Sequence, residues 1–280
     1  MSAVAAAVLT PSPAKASALP KRCESVFRSK IQIRNSNLLM NNFTVDRGLS
    51  QYENHFPFKT ARGVKVTLAS LPKKSVWFDM GAGKGHALVD GLKLNSNLTA
   101  IGVSYVRPGK SADLNIYGER AGYLEGDYVE NMMDLGRLKP YLGRVNVITD
   151  VYGPFSYTND VPRLLQTYLD LLETDGVLFV NFLVDRKIEH DPYARVGYSS
   201  MNSVLKSDGT KSNAGILEWL MQIEGIQVLD AARAESEPGA VHEKSIGLKI
   251  KKTATHVTVP SNLKLETYEA DSPPRRTFRR

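Results

Sequence analysis

The chain of 280 residues contains a single cysteine, Cys23. One thiol excludes an internal disulfide and fits a reducing compartment, so the cytoplasm is the expected location. No apolar run approaches the ~18 residues a membrane-spanning helix requires, and no membrane segment is expected. The histidines (His55, His86, His190, His242 and His256) are scattered, without cysteine clusters or a His-x-x-x-His spacing, so no metal-ligand set is expected. No Ser-His-Asp arrangement can be traced, and no lysine of the phosphate-loop kind follows the glycine-rich segment.

Acidic residues are scarce at the two ends. Residues 1–34 carry a net charge of +5, residues 249–280 again +5, and the stretch between them −3, which together give the formal +7. The basic character therefore belongs to the ends, and the near-neutral middle does not suggest a groove for duplex nucleic acid. Segments 1–34 and 259–280 read as basic, solvated and without regular structure. They are suited at most to weak, salt-dependent contact with nucleic-acid phosphates. Residues 35–258 read as one domain, and a hydrophobic content of 42% supplies one substantial core.

The most informative segment is Val76-Trp77-Phe78-Asp79-Met80-Gly81-Ala82-Gly83-Lys84-Gly85-His86. An apolar run ends in an acid, three glycines follow at alternate positions, and a helical segment starts. Glycines allow a sharp turn and a close approach to a ligand, because no Cβ intervenes. The first N–H groups of the next helix suit an anion. Alternatively, the segment is a tight turn without a ligand.

From residue 75 the chain alternates. Strands are expected at 75–80, 98–104, 121–125, 145–151, 176–183, 225–230 and 244–250. Helices are expected at 84–93, 112–120, 128–136, 160–173 and 213–223. This order predicts an α/β fold with a mostly parallel sheet and helices on both faces. In 160–173, Val161, Leu164, Leu165, Tyr168, Leu169 and Leu172 share one helical face. Pro162 sits in the first turn, where its missing N–H costs nothing. A helical lead-in (35–70) is anchored by Leu38, Leu39 and Phe43 and continues into Tyr52, His55, Phe56, Pro57 and Phe58. That aromatic cluster either covers a ligand mouth or simply packs. Residues 184–212 break the rhythm with charged and turn-prone sequence and read as a loop inserted after the fifth strand.

The glycine spacing departs from the dinucleotide fingerprint: Gly85 comes one position early, and the next strand ends in Ser104-Tyr105 rather than an acid. Nicotinamide dinucleotide is therefore the weaker reading. Phe78-Asp79-Met80-Gly81-Ala82-Gly83-Lys84-Gly85 instead resembles motif I of the class I S-adenosylmethionine-dependent methyltransferases. Tyr123-Leu124-Glu125-Gly126-Asp127 resembles the segment whose Asp meets the adenine amino group. Val145-Asn146-Val147-Ile148-Thr149-Asp150, continuing into Val151-Tyr152-Gly153, resembles motif IV. The helix before Glu173-Thr174-Asp175-Gly176 and the strand after it resemble the segment leading into the family's fifth strand.

This resemblance, spanning about 70–185 in the expected order, implies a seven-stranded, mostly parallel Rossmann-like sheet with an antiparallel final strand. It implies S-adenosylmethionine as cofactor, held by Asp79, Gly81, Ala82, Gly83, Gly85, Ser104, Asp127 and Asp150. Asp79 would help hold the cofactor's amino group. Ser104 stands where the family has an acid that takes both ribose hydroxyls. Either another group holds the ribose, or affinity is lower, or activity is lost.

Asp150 and Tyr152 are the expected catalytic residues, with Phe155 and Tyr157 nearby; a turn carboxylate is the alternative for Asp150. The acceptor is unidentified, with a small molecule or a protein side chain favoured, and the oligomeric state is open. An inactive, methyltransferase-like binding module is the rival reading. A lesser one is an RNA methyltransferase, from the loose placement of Lys59, Asp150 and Lys187. Tyr152-Gly153-Pro154-Phe155 shares only its Pro-Phe end with the amino-group methyltransferase motif, so that substrate class is not inferred.

Overall fold

The computed structural model describes residues 46–59, 61–104, 113–125, 138–157, 161–185, 204–205, 216–217, 219–234, 244–261, 264–267 and 275–279. All of them belong to the unit Asn37–Arg280. The anchors Leu38, Leu39 and Phe43, the helix expected at 128–136, Asp127 and Lys187 lie outside the described residues.

Two short helices, α1 (Leu49–His55) and α2 (Val64–Ala69), precede the sheet. Strand β1 (Val76–Asp79) leads through the glycine turn into α3 (His86–Leu94). Strand β2 (Thr99–Ser104) is followed by a 3-10 helix (Leu114–Arg120), where an α-helix was expected, and by β3 (Ala121–Glu125). Strand β4 (Val145–Val151), α4 (Pro154–Tyr157), α5 (Val161–Leu171) and β5 (Leu172–Asp185) come next. Ile216, Leu217, Trp219 and Leu220 are helical, and β6 (Ile226–Ala234) and β7 (Lys244–Lys252) end the sheet.

The strand order is β3-β2-β1-β4-β5-β7-β6. Pairing is parallel from β3 across to β5, while β7 runs antiparallel to both β5 and β6. This is the Rossmann-like α/β sheet with the antiparallel ending that the sequence resemblance implied. Within the 259–280 tail, expected to lack regular structure, Lys264–Thr267 and Arg275–Arg279 pair antiparallel, and the latter also pairs with Val204–Leu205 of the expected loop.

Alternation along the strands sorts side chains onto two faces. Trp77, Val147 and Phe179 join the apolar cluster that contains Leu49, Tyr52, Leu68, Leu88 and Leu92 from the first three helices and Phe56, which follows α1. Phe78, Ile148, Leu178 and Val180 point the other way, against Leu164, Leu165, Tyr168 and Leu169 of α5 and against Trp219 and Leu220. The helical period of α5 thus matches its buried stripe.

The turn expected at 173–176 survives inside β5. Leu172 pairs with Val145, but the ladder resumes only at Val177 opposite Val147, and Asp175 takes a left-handed φ of 70°. Lys252, on β7, donates to the carbonyls of Leu169 (2.6 Å) and Leu172 (2.7 Å) at the end of α5. It thereby satisfies carbonyls that a helix end leaves without partners.

Candidate functional site

The sheet grows outward from β1 in one direction through β2 and β3 and in the other through β4 and β5. The reversal lies between β1 and β4, and in open α/β sheets ligands lodge at that crevice, beyond the carboxyl ends of the strands. Asp79 ends β1 and Tyr152 directly follows β4.

Backbone geometry at the first of these ends explains the glycines. Gly83 has φ 57° and Gly85 φ 95°, both in the left-handed region that favours glycine. The turn is tied down by Met80 N–H to the Thr149 carbonyl (2.7 Å), Ala82 N–H to Val103 (3.2 Å) and Gly85 N–H to Ala82 (2.8 Å). Tyr123 donates its hydroxyl to the Gly83 carbonyl. Gly81 lies against the loop after β4, where a Cβ would sit 3.0 Å from the Val151 carbonyl oxygen.

The N–H groups that open α3 already face a carboxylate. Asp46 Oδ1 lies 3.3 Å from Lys84 N and 3.5 Å from His86 N, while Oδ2 lies 2.7 Å from His86 Nδ1. An acid of the lead-in therefore stands where the helix start suits an anion. His86 holds that acid through its Nδ1.

Asp79 is fully buried. Tyr52 of α1 donates to its Oδ2 (2.8 Å) and Thr149 to its Oδ1 (2.9 Å), and the indole of Trp77 donates to the Thr149 hydroxyl (2.9 Å). Burial raises the Asp79 pKa to about 7, against the pull of the hydrogen bonds from Tyr52 and Thr149.

Asp150 points to the opposite face. Its Oδ1 accepts from Gly153 N (2.8 Å), and its Oδ2 from Phe155 N (2.9 Å) and the Tyr168 hydroxyl (2.6 Å). These contacts match the turn-carboxylate alternative: both oxygens are engaged in holding the loop after β4 onto α5. Burial raises the Asp150 pKa to about 7 as well, opposed by its three hydrogen bonds and assisted by the charge of Asp79. Phe155, named with the residues near the reacting methyl, is instead part of the core cluster under α5.

Tyr152 has φ 51°. A non-glycine residue there costs about 1–2 kcal/mol and recurs where function demands it. Its ring meets that of His55 edge-on (5.0 Å, 81°), and the Arg47 guanidinium lies 5.0 Å from its centroid. Burial, then the charge of Arg47, lowers the His55 pKa to about 4. Asn181 of β5 completes the group: its carbonyl accepts from Tyr152 N (3.1 Å), and its Nδ2 donates to the His55 carbonyl (3.0 Å). Ser104, at the end of β2, is buried and level with Glu125 of β3.

The structure thus brings Asp79, Gly81, Ala82, Gly83, Gly85 and Tyr152 to one crevice and turns the Asp150 side chain toward the opposite face. Nothing in the sequence marks Asp46, Arg47, Thr149 or Asn181 for the places they take here. Tyr52 and His55 were visible as part of an aromatic cluster, but their partners are remote in sequence.

A pH dependence follows from the three shifted groups. A carboxyl that keeps its proton to about pH 7, against an ordinary 3.8, contributes stability below pH 3.8 and loses it as pH rises through about 7. His55, lowered from 6.5 to about 4, acts oppositely: its contribution is present above pH 6.5 and lost as pH falls through about 4. Two carboxyls outweigh one imidazole, so the unfolding free energy is expected to decline from pH 4 to 7. Urea titrations across that range should show the decline, and Asp79→Asn should flatten it. A slope unaltered by that substitution would place the titration elsewhere.

No protein-family model matches this chain, and no curated protein matches it in sequence. Among solved structures, it is similar to the 1,6-didemethyltoxoflavin-N1-methyltransferase of Burkholderia thailandensis, crystallised with 1,6-didemethyltoxoflavin and S-adenosylhomocysteine. The identity is 16%, over 88% of this chain and 94% of that one, with a TM-score of 0.51. Similarity also extends to the mitomycin 7-O-methyltransferase MmcR (14% identity, 81% of this chain and 60% of that one, TM-score 0.48) and to the [4+2]-cyclase SpnF (15%, 68% and 80%, TM-score 0.45). At 16% identity the likeness to the Burkholderia protein establishes the fold alone, a Rossmann-like α/β sheet. Among the described residues, no helix is long and apolar enough to cross a membrane.

Proposed function

We propose that this chain transfers a methyl group from S-adenosylmethionine to a small molecule or a protein side chain. The observation that carries the reading is the turn from Asp79 through Gly81, Gly83 and Gly85 into α3, located at the switch point between β1 and β4. The Burkholderia protein of like fold, crystallised with S-adenosylhomocysteine, supports the same cofactor. Gly81, Ala82, Gly83 and Gly85 would receive its amino-acid part, and Asp79 its amino group once Tyr52 gives way or shares the carboxylate. Ser104, and Asp127 outside the described residues, would lie toward the ribose and adenine.

The cofactor's sulfonium already activates the methyl group. The protein's task is then to align acceptor, carbon and sulfur and to keep water out. Tyr152 is the residue presented at the crevice, and Asp150 holds the loop that presents it, so Asp150 acts in this reading through position rather than as a base. The same contacts favour this reading over the RNA one, which drew on Lys59, Asp150 and Lys187.

Calorimetric titration with S-adenosylmethionine and S-adenosylhomocysteine tests the proposal. Micromolar dissociation constants are expected for both. Absence of binding at millimolar concentration would overturn it in favour of an inactive binding module.

A further inference from the structure

Asn181 is a polar residue buried completely within the sheet, between Val151 of β4 and Gly247 of β7. Two residues earlier on the same face stands Phe179. The amide's orientation is settled by its partners. The His55 carbonyl can only accept, so Nδ2 must face it, and Nδ2 also donates to Ser245 Oγ at 3.1 Å. Oδ1 is left buried with no hydrogen-bond partner among the described residues. Native interiors rarely leave such an acceptor unmatched, because it has given up water for nothing.

Its surroundings indicate what would match it. The main-chain carbonyl of Asn181 accepts from the N–H of Tyr152, the residue held at positive φ after β4, and the His55 whose carbonyl meets Nδ2 has its ring against that of Tyr152. The positive charge beside that ring comes from Arg47, 5.0 Å from its centroid. A cationic ligand would meet repulsion there, whereas a neutral or anionic one would not. The missing partner must be a donor, and the local charge argues against an ammonium.

We propose that the carboxyl ends of β4 and β5 form the acceptor subsite, in which Asn181 Oδ1 receives a hydrogen bond from an N–H or O–H of an uncharged or anionic acceptor, with alkylammonium compounds excluded. This rests on the methyltransferase reading above. Asn181 is a positioning residue for the acceptor, and it lies outside the turn that would hold the cofactor.

The test uses the full chain with S-adenosylmethionine and measures release of S-adenosylhomocysteine. Xanthine, 4-hydroxycoumarin and catechol represent the N–H and O–H class; ethanolamine, putrescine and Nα-acetyl-lysine represent the amines. Turnover is expected in the first group alone. For a compound turned over, Asn181→Leu is expected to raise KM about tenfold or more, while the dissociation constant of S-adenosylhomocysteine stays within about twofold. Ser245→Ala, which removes a partner of Nδ2 without touching Oδ1, should leave KM unchanged.

Should Asn181→Leu fail to fold, the comparison of the two compound groups on the unaltered chain still decides. Equal turnover of the amines would overturn the proposal. So would an unchanged KM in Asn181→Leu, or no turnover of the first group by a chain that binds S-adenosylhomocysteine. Failure to bind S-adenosylhomocysteine at all would instead sink the methyltransferase reading on which the proposal stands.

Discussion

Replacing Gly153 with alanine is expected to destabilise the fold by about 4 kcal/mol or more, at the far end of what single substitutions do. A Cβ at this position would lie 1.6 Å from the Met80 carbonyl oxygen and 2.7 Å from Asp150 Oδ1. The first neighbour is backbone and the second is the carboxylate that holds the loop, so neither can swing aside as the end of a flexible side chain would. Met80 is itself anchored, its N–H donating to the Thr149 carbonyl at 2.7 Å. Relief therefore requires separating the glycine turn from the loop after β4, which opens the crevice between β1 and β4.

Gly118→Ala provides the comparison. That glycine has φ 54° and ψ −130° with nothing within 4 Å of a Cβ, so only its backbone angles, which L residues rarely adopt, are charged against it, about 1–3 kcal/mol. Urea denaturation of both variants measures the difference. Equal losses would mean that the β1 turn and the β4 loop do not approach as closely as described.

Replacing Gly83 with valine is expected to abolish cofactor binding, with no heat of binding up to about millimolar S-adenosylmethionine, a loss of about 4 kcal/mol from a micromolar affinity. Gly83 sits at φ 57°, and a β-branched residue is a poor occupant of that region. The added side chain would also stand at the turn where the ligand's amino-acid part is proposed to approach backbone. Gly83→Asn separates the two causes, since Asn tolerates the left-handed conformation better. Backbone strain alone should leave the Asn variant well folded, while steric exclusion should still weaken its binding. Titration by calorimetry, with circular dichroism as the check on folding, gives the answer. Unchanged affinity in Gly83→Val would place the cofactor elsewhere.

Part of this architecture was readable from the sequence for a local reason. Strands β1 and β5 announce themselves through the apolar runs 76–78 and 177–180, as strands buried on both faces do. Helix α5 does so because its apolar residues recur at helical spacing. The turn between β1 and α3 is legible because only glycine accepts the backbone angles found at positions 83 and 85 without strain. These are properties of short segments, and neighbouring residues suffice to define them. The 3-10 helix before β3 and the pairing of Leu172 with Val145 ahead of the turn at 173–176 escaped, since contacts made across the fold, rather than local preference, decide where such elements begin and end.

The sequence by itself thus determined the class of fold, the order of its elements and the position of the glycine turn. What the carboxylates at the strand ends do was decided only by tertiary structure. Strand alternation places Asp79 on the face covered by α1 and Asp150 on the face covered by α5. From there Tyr52 reaches the first across 27 residues of sequence, and Tyr168 the second across 18. Asn181 meets the His55 carbonyl across 126 residues. Hydrogen bonds are short-ranged and directional, so a polar side chain's role depends on which atoms the fold brings within about 3 Å of it. No pattern along the chain encodes that distance. Asp150 illustrates the consequence: its motif marked it for chemistry, and its contacts in the fold engage both its oxygens in holding a loop.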